Sequence, residues 1–271
     1  MPELPEAETI ARALGRAVSG ARIKRVAVFT PKLRTSLAPL VQSKIEGRVI
    51  TGCRRRARYA VADLDDARAI VFHFGMSATV RVDKVCAPRR KHDHVEIEIE
   101  GERAIRFNDP RRFGSVEVQS CGNDGWPEGL AAIGIEPLSE AFTGQMLFSF
   151  SRRRKKPIKE LLMDNAIVTG IGNIYAAETL FAAGILPQRR AHELTLKECN
   201  LIVRHARRIL RQAIQLGGTT VHDFKSVDGS EGKFVQKLKI YGKRVCGQCG
   251  GQTAKIVLGG RTSWYCPCCQ H

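Results

Sequence analysis

Residues 69–74 read Ala-Ile-Val-Phe-His-Phe, a short run dominated by β-branched and aromatic side chains. Comparable runs, rich in alternating β-branched residues, lie on both sides of it, at residues 23–29, 48–53, 59–64, 95–99 and 103–107. Alternate side chains of a strand point to opposite faces, and many short alternating segments separated by turns are typical of a β-sandwich. The sequence therefore predicts a two-layer β-sandwich between residues 22 and 118.

The stretch before the sandwich predicts a helix. Residues 1–6 read Met-Pro-Glu-Leu-Pro-Glu, and an apolar-periodic run follows at residues 7–18. Proline suits the first turn of a helix, so Pro5 is a good starting residue. Glu6 and Glu8 favour the positive end of the helix dipole. The fold class is therefore α+β, with an N-terminal helix in front of the sandwich.

The same opening also offers a nucleophile. If Met1 is removed, as is common before a small residue, Pro2 becomes a free secondary amine. An α-amino group titrates near ~8, whereas lysine titrates near ~10.4, so this amine is more often neutral at physiological pH. Pro2 is then a candidate nucleophile, and Glu3 and Glu6 are close enough in sequence to donate or accept a proton beside it. The alternative is a proline and two acids that open an ordinary helix.

The second half of the chain has a helical pattern. Residues 124–137 contain Gly, Pro and Trp126 without periodicity and separate the two patterns. Thr195-Leu-Lys-Glu198 is a capping box, and the apolar helix face after it ends at Gly217-Gly218. We expect domains at residues 2–130, 138–235 and 236–271, with a linker at 131–137.

The C-terminus carries a metal-ligand pattern. Cys246-Gly-Gln-Cys249 and Cys266-Pro-Cys-Cys269 are two Cys-x2-Cys pairs with sixteen residues between them. Four thiolates at this spacing predict one structural Zn2+, held by Cys246, Cys249, Cys266 and Cys269. Cys268 makes the register ambiguous, but only Cys269 gives the second pair the spacing of the first. Residues 255–265 between the pairs predict a hairpin with Arg261 near its tip, placed to enter a DNA groove.

Charge indicates a polyanionic partner. The chain has 44 Lys and Arg against 27 Asp and Glu, a net charge of +17 and a pI near 9.9. A merely soluble basic protein is the alternative, but the cations are clustered at predicted turns, in residues 54–58, 89–91, 111–112, 152–156 and 189–190. Five such clusters favour a nucleic-acid-binding surface.

The remaining composition bears on location. No apolar segment approaches the roughly 20 residues that span a bilayer, and the N-terminus lacks a signal-peptide hydrophobic region. Five of the nine cysteines crowd the C-terminus, which favours a metal site over a disulfide framework and fits a reducing compartment. We expect no membrane partner and an intracellular location.

A glycine turn in the helical half predicts an anion site. Residues 170–175 read Gly-Ile-Gly-Asn-Ile-Tyr, between two helical stretches. With Asn173 as the N-cap, the second helix would present backbone amides and its positive end to a phosphate. The alternative is an ordinary helical hairpin in a core.

Taken together, these motifs resemble formamidopyrimidine-DNA glycosylases. Pro2-Glu3-Leu4-Pro5-Glu6 followed by Glu8-Thr9 is similar to the opening of that family, and matching motifs follow in order to Cys269. The resemblance implies a bifunctional DNA glycosylase and abasic-site lyase of base excision repair that excises oxidised purines such as 8-oxoguanine and formamidopyrimidines. It further implies damaged double-stranded DNA as partner, a monomer, no organic cofactor, and a bacterial cytoplasmic, nucleoid-associated location.

The resemblance also assigns catalytic roles. Pro2 attacks C1′ of the flipped nucleotide, and Glu3 supplies the proton that opens the sugar. Glu6 holds the N-terminal geometry. Arg58 stands where the family has the lysine of β-elimination, and Arg261 holds phosphate and assists the second elimination.

Nine further residues are expected to bind DNA. Met76, Arg111 and Phe113 fill the space left by the extruded nucleotide, although periodicity alone would place Met76 and Phe113 in the sandwich core. The others are His73, His92, Lys155, Lys159, Asn173 and Tyr241. A zinc role for the histidines in residues 91–94 is disfavoured because no third ligand is adjacent. Residues 222–234 correspond to the family segment that folds over an extruded 8-oxoguanine.

One position departs from the family pattern. Bacterial members usually read Arg-Arg-Ala-Lys-Tyr where this chain has Arg55-Arg56-Ala57-Arg58-Tyr59. Arginine keeps the charge and can hold phosphate, but it is a poor acid or base. The substitution puts strand-cleavage efficiency, and with it lesion preference, in question.

Two other functions remain open. An endonuclease VIII-like glycosylase would prefer oxidised pyrimidines. Members of that group open with Pro-Glu-Gly-Pro-Glu and lack the methionine loop. Leu4 and Met76 therefore favour the glycosylase of oxidised purines. The other alternative is a zinc-containing DNA-binding protein with weakened catalysis. It remains possible because Arg58 replaces the usual lysine.

Overall fold

The computed structural model describes residues 2–219 and 232–271. Their chain forms two compact units, the first from Met1–Ala132 with Gly217–Lys233 and the second from Ile133–Leu216 with Phe234–His271. The first contains two α-helices and two sheets, and the second contains helices and a hairpin that carries four clustered cysteines. The predicted α+β fold class is confirmed.

The first unit is a sandwich of two four-stranded antiparallel sheets. Its helices are α1 (Leu4–Val18) and the short α2 (Ala38–Gln42). Its strands are β1 (Ile23–Val28), β2 (Ile50–Arg56), β3 (Tyr59–Leu64), β4 (Arg68–His73), β5 (Thr79–Lys84), β6 (Asp93–Ile99), β7 (Arg103–Asn108) and β8 (Ser115–Ser120). One sheet has the order β1-β6-β7-β5 and the other β2-β3-β4-β8.

One apolar cluster joins α1 to both sheets. Ile10 and Leu14 of α1 lie in the same buried cluster as Phe72 from one sheet and Ile97 and Phe107 from the other. Full burial of side chains of this size stabilises the fold by about 1.5–3 kcal/mol each. The core therefore fixes α1, and with it the start of the chain, against the sandwich.

The start of α1 follows from its sequence. Glu3 is the N-cap and forms a capping box with Glu6, while Pro5 lies in the first turn, where a missing backbone N–H costs nothing. The predicted N-terminal helix is confirmed.

The second unit is helical, with one hairpin. It contains α3 (Gly144–Ser151), α4 (Ile158–Leu162), α5 (Asn173–Ala183), α6 (Leu196–Gln215), β9 (Ala254–Leu258) and β10 (Arg261–Tyr265). The Thr195–Glu198 capping box and the buried face of α6 are present as predicted. Ile240 and two cysteines of the hairpin region pack against Ala177 and Phe181 of α5. None of the helices in the described residues combines the length and hydropathy needed to cross a membrane.

Candidate active site and nucleic-acid interface

The start of the chain is held by one buried carboxylate. Pro2 is buried immediately before α1, and Glu3 and Glu6 are 4% and 2% exposed. Glu3 donates its backbone N–H to Glu6 Oε2 at 2.9 Å. Glu6 Oε1 accepts from the backbone N and the Oγ1 of Thr219 at 2.7 and 3.0 Å. Glu6 therefore acts as an acceptor that fixes the backbone of Glu3, the residue next to the expected nucleophile.

Thr219 reaches Glu6 because of the glycine before it. Gly218 has φ +82°, and a Cβ placed on it would lie 2.7 Å from Glu6 Oε1. Any other residue would be strained there and would push the carboxylate away. The Gly217-Gly218 pair, expected only to end a helix, thus also completes the site around Glu6.

Arg58 lies at the tip of a tight hairpin. Arg56 pairs with Tyr59, which leaves Ala57 and Arg58 as the two loop residues, and Ala57 has φ +53°. Arg55 Nε donates to Glu8 Oε2 of α1 at 2.8 Å, and Arg55 Nη1 donates to the Ala57 carbonyl at 3.1 Å. The hairpin tip is therefore tied to the helix that begins at the candidate nucleophile.

The Arg55–Glu8 ion pair is partly buried. Burial raises the pKa of the Glu8 carboxyl, but the hydrogen bonds and charges of Arg55 and then Arg12 outweigh it, so that the pKa lies below its ordinary value. Glu8 is consequently ionised at neutral pH and keeps its hold on the hairpin.

The basic run at residues 54–58 differs from the expectation. Arg54, Arg55 and Arg56 belong to strand β2 instead of a turn. Arg54 pairs with Asp63 at 2.8 Å and stacks 4.0 Å from the centroid of the Trp126 ring. The prediction that the whole run lies at a turn was wrong, because partners distant in sequence stabilise these cations in the sheet.

Met76 and Phe113 lie on adjoining loops and are 44% and 47% exposed. The alternative that they belong to the sandwich core is therefore wrong. Gly75 has φ +51°, and a Cβ on it would lie 2.5 Å from the Phe113 carbonyl, so only glycine allows the loops to pack this closely. The Arg111 guanidinium lies 4.9 Å from the centroid of the Phe113 ring. The three side chains expected to fill the duplex are thus brought together.

Asp109, which the sequence analysis did not single out, organises these loops. It is fully buried. Its Oδ2 accepts from Gly114 N at 2.7 Å, and its Oδ1 accepts from Ser77 Oγ at 2.9 Å and from Arg111 N at 3.3 Å. The signal in the sequence is weak: an aspartate before Pro110 that bonds to backbone N–H groups ahead of it, a common turn device.

The histidines near these loops are not arranged as a metal site. Asp109 donates its N–H to the His92 carbonyl at 3.0 Å, and its own carbonyl lies 3.1 Å from His94 Nε2. His92 has φ +73°, so its loop is fixed in an unusual backbone conformation. In the described ranges the four cysteines are the only group with metal-ligand geometry.

His73 is a neutral group in a positive environment. Burial, followed by the charges of Arg34 and Arg58, lowers its pKa to about 4. Its ring packs 4.9 Å from that of Tyr59, its partner across β3 and β4. Its Nδ1 is buried and makes no hydrogen bond within the described chain. The structure therefore places His73 within the electrostatic reach of Arg58, at the same end of the sheet.

The glycine turn of the second unit begins α5, with one correction. The N-cap is Gly172, and Asn173 is the first helical residue, so the Asn173 side chain does not cap the helix. Instead its Oδ1 accepts from Lys159 Nζ at 2.5 Å, and its Nδ2 donates to the Thr262 carbonyl at 3.1 Å. Asn173 thus links the helix start to the cysteine hairpin.

Lys159 does not lie on the surface, where a lysine that contacts phosphate directly would be expected. It is 1% exposed, and its Nζ also donates to Ser263 Oγ at 2.6 Å. It therefore joins Asn173 to strand β10. Lys155, by contrast, is exposed.

Tyr241 and Arg261 lie on the cysteine module. Tyr241 packs 4.6 Å from the Trp264 ring and donates its N–H to Glu178 Oε1 at 2.8 Å. Arg261 is exposed and opens β10, opposite Leu258. The predicted hairpin with Arg261 near its tip is confirmed.

The four predicted cysteine ligands form one cluster. The Sγ atoms of Cys246, Cys249, Cys266 and Cys269 all lie within 4.8 Å of one another. Cys246–Cys269 and Cys249–Cys266 are 3.9 and 3.5 Å apart. A zinc tetrahedron with Zn–S bonds of about 2.3 Å has S···S edges of about 3.8 Å. The cluster fits such an ion, and the choice of Cys269 over Cys268 is confirmed.

One predicted element cannot be placed. Residues 222–234, expected to fold over an extruded base, fall mostly outside the described residues, which resume at Gly232.

Comparison with known proteins matches these features. Residues 1–116 match the formamidopyrimidine-DNA glycosylase N-terminal domain, and residues 133–225 match the formamidopyrimidine-DNA glycosylase H2TH domain. The formamidopyrimidine-DNA glycosylases of Hahella chejuensis and Xanthomonas campestris are 42% and 43% identical, with all of both chains covered.

Solved structures agree. A complex between a Lactococcus lactis FPG mutant and Fapy-dG-containing DNA has a TM-score of 0.90 at 32% identity, covering 99% of each chain. MutM (FPG) from Thermus thermophilus has a TM-score of 0.87 at 34% identity, covering 99% of this chain and 98% of that one. The sequence motifs, the sandwich, the helical unit and the cysteine cluster all occur together, and the chain belongs to the formamidopyrimidine-DNA glycosylase family of DNA-repair glycosylases.

Proposed function

We propose that the protein excises oxidised purines, 8-oxoguanine and formamidopyrimidines, from damaged double-stranded DNA and then cuts the strand as an abasic-site lyase. The observation that carries the proposal is the buried Glu6 carboxylate, which fixes the Glu3 backbone directly after Pro2. The lesion class is supported by similar Lactococcus lactis proteins, whose solved complexes contain Fapy-dG or abasic-site DNA.

The reaction begins once hydrolysis has removed Met1. The Pro2 nitrogen then attacks C1′ of the extruded nucleotide, the C1′–N bond breaks, and the damaged base leaves with a proton. Glu3 protonates O4′ as the sugar ring opens, which gives an iminium between Pro2 and C1′. Loss of a C2′ proton expels the 3′ phosphate, a second elimination expels the 5′ phosphate, and hydrolysis releases Pro2.

Glu6 and Arg58 act around this intermediate without bonding to it. Glu6 holds the Glu3 backbone and keeps the amine near C1′. Arg58 stands where relatives have lysine and clamps a phosphate beside the lesion; its guanidinium does not shuttle protons at neutral pH. The neutral His73, near Arg58, contacts the DNA without adding charge.

The remaining residues hold the bent duplex. Met76, Arg111 and Phe113 fill the gap left by the extruded nucleotide, and Arg111 faces the orphaned base. Exposed Lys155 and Arg261 bind phosphate, and Arg261 assists the second elimination. His92, Asn173, Lys159 and Tyr241 support this surface, with Lys159 acting through Asn173 and Ser263.

The four cysteines bind one structural Zn2+. When bound, the ion crosslinks the two ends of the hairpin that carries Arg261, and it takes no part in the chemistry because all four ligands come from the protein. We further propose that the protein acts as a monomer, with no membrane partner, in a bacterial cytoplasm in association with the nucleoid.

Borohydride trapping tests the chemistry. Purified protein is incubated with an 8-oxoguanine duplex and sodium borohydride, and intact-mass measurement establishes whether Met1 is absent. A covalent adduct that disappears when the α-amine is blocked chemically supports the proposal. Absence of an adduct with protein that lacks Met1, or an undiminished adduct after blocking, contradicts it.

The same assay separates the alternatives. An endonuclease VIII-like enzyme would trap an oxidised-pyrimidine duplex faster than the 8-oxoguanine duplex. A binding protein that has lost turnover would retard both duplexes in a gel and leave an abasic-site strand uncut. Leu4 and the Met76 loop favour the purine enzyme, and Arg58 is the residue on which the third reading rests.

A further inference from the structure

Helix α6 carries several cations to which the proposed DNA chemistry assigns no role. Its sequence contains Lys197, Arg204, Arg207, Arg208 and Arg211 but only one acid, Glu198. That acid is occupied, because Arg189 donates to both of its oxygens, at 2.5 and 3.2 Å. The helix therefore has a large uncompensated positive charge.

Three of these arginines lie on one line. Arg204, Arg208 and Arg211 are spaced i, i+4, i+7 and are all exposed, so they form a stripe about 10 Å long. Within residues 2–219 and 232–271 none of the three guanidinium groups lies in an ion pair with a carboxylate. Arg208 Nη2 lies 3.3 Å from His205 Nδ1, so its contact on α6 is with a ring nitrogen and not with a carboxylate.

The stripe lines a groove with fixed walls. The open groove has a volume of about 880 Å³ between α6 and the start of α3. Arg207 donates to the carbonyls of Ser139 and Phe142 at 2.6 and 3.0 Å and so fixes the segment that precedes α3. A Cβ on Gly144 would lie 2.0 Å from Asn200 Oδ1, so α3 packs closely on α6 here. The backbone on both sides of the groove is therefore fixed by contacts between α6 and the start of α3.

The local field is positive. Burial lowers the pKa of His205, and the charges of Arg208 and Arg204 lower it further. His205, which follows Arg204, therefore lies in the positive potential of the stripe.

Apolar side chains adjoin the stripe and define the partner. A second groove, of about 500 Å³, continues along α6 and shares Asn200 and Arg204 with the first. It is lined by Leu196, which is 39% exposed, and by Leu201. A nucleic-acid backbone has nothing to place against these leucines, whereas an amphipathic acidic peptide matches both the charge and the apolar surface.

We propose that the α6 groove is a docking site for an acidic segment of another protein, with carboxylates against Arg204, Arg208 and Arg211 and an apolar side chain against Leu196 and Leu201. The occupant is an acidic peptide with apolar anchors. The site would let a partner bind the protein through α6, apart from the residues proposed for chemistry.

Fluorescence anisotropy tests this with the full-length protein. The probe is a labelled synthetic helix with glutamates at i, i+4, i+7 and leucines on the adjoining face; a scrambled peptide of the same composition and polyglutamate are the references. We expect the patterned peptide to bind best. The triple variant R204Q/R208Q/R211Q should weaken it by roughly tenfold or more, and L196A should weaken it by a smaller factor.

The control variant is K24Q/K44Q/K84Q, which removes the same charge from exposed lysines of the first unit. It should bind the peptide as the wild type does. Both triple variants should still cut an abasic-site duplex, which also shows that they are folded. Equal binding of scrambled and patterned peptides, equal loss in both triple variants, or an unchanged R204Q/R208Q/R211Q would overturn the proposal. So would a selective loss of duplex binding in that variant, because the stripe would then belong to the DNA surface.

Discussion

Glu6 and Thr219 are 213 positions apart in the chain, yet one carboxylate oxygen of Glu6 accepts both the backbone N–H and the hydroxyl of Thr219, at 2.7 and 3.0 Å. The other oxygen accepts the Glu3 N–H at 2.9 Å. A buried group that accepts three hydrogen bonds is costly to alter, because each donor left without a partner keeps its desolvation penalty of about 1–3 kcal/mol. We therefore expect Glu6 to affect the proposed chemistry by positioning the Glu3 backbone.

The variant E6Q tests that role. Glutamine has one acceptor oxygen, so its NH2 group would face either the Glu3 N–H or the two donors of Thr219. We expect the single-turnover rate of borohydride trapping to fall roughly 10- to 100-fold, because a displaced Glu3 backbone misaligns the amine. T219V loses only the hydroxyl donor and should cost less. Wild-type trapping by folded E6Q would contradict the positioning role.

Asp109 gives a prediction that separates base extrusion from lyase chemistry. Since its carboxylate accepts from Gly114 N, Ser77 Oγ and Arg111 N, D109N would set an NH2 group against a donor and loosen the loops of Met76 and Phe113. Excision from an 8-oxoguanine duplex should fall roughly tenfold or more. Cleavage of a single-stranded abasic oligonucleotide should change much less, because nothing has to be extruded.

The control for Asp109 is S77A, which removes one side-chain donor and leaves both backbone donors in place. It should stay close to the wild type on both substrates. If D109N instead slows both substrates equally, Asp109 acts on overall stability or on the lyase chemistry, and its assignment to the filling loops is wrong.

The sequence revealed most of the architecture because most of it rests on local signals. Apolar alternation found six of the eight sandwich strands, the capping box found α6, and cysteine spacing found the metal cluster. It did not single out β5 or β8. In β5 the reason is physical: Arg81 is 7% exposed and bonds to Asp93 at 2.7 Å, so a buried charge stands where alternation calls for an apolar residue.

The site was less predictable for a related reason. Asp109, Lys159 and Thr219 take their roles from partners brought together by tertiary folding, and no spacing in the sequence records those partners. Lys159 appears in the chain among other cations, but only the fold shows that it is 1% exposed. Closeness to Pro2 in sequence and the family resemblance both pointed to Glu6, whereas its contact with Thr219 arises only when the chain folds.

His73 should make stability depend on pH. Its folded pKa of about 4 lies below the ordinary value of about 6.5, so the unfolded chain binds more protons between these values. This contribution to stability is fully present above pH 6.5 and is lost as the pH falls from 6.5 towards 4. Urea unfolding at pH 7.5, 6 and 5 should therefore show a smaller decline for H73Q than for the wild type.

A second variant tests the cause of the shift. Because burial and then the charges of Arg34 and Arg58 lower the pKa of His73, R58Q should raise that pKa in an NMR titration. H271Q, at the exposed C-terminus, serves as the substitution control in the unfolding series. An unmoved His73 pKa in R58Q would mean that the two side chains are not close in solution.

Lys159 and Lys155 should fail in different ways when changed to methionine. K159M leaves Asn173 Oδ1 and Ser263 Oγ buried without their donor, and we expect a loss of about 2–4 kcal/mol in the free energy of unfolding together with weaker DNA binding. K155M removes an exposed cation. It should leave unfolding unchanged and reduce the salt dependence of duplex binding, log Kd against log salt, by about one phosphate contact. Equal changes in the free energy of unfolding and in the salt dependence of duplex binding in K159M and K155M would contradict these different roles.

The cysteine cluster allows a test in which two neighbouring thiols give opposite results. Cys249 belongs to the set of four sulfurs within 4.8 Å of one another, whereas Cys268 does not. C249S should therefore lose its zinc and C268S should retain one ion per chain, as measured by elemental analysis of the purified proteins. The proposed zinc would hold together the two ends of the hairpin that carries Arg261, so C249S should also bind duplex DNA more weakly, and chelation of the wild type should reproduce that loss. Zinc retained by C249S at full affinity would mean that the ion sits elsewhere, and the loss of zinc from C268S would mean that the register of the second pair is Cys266 with Cys268.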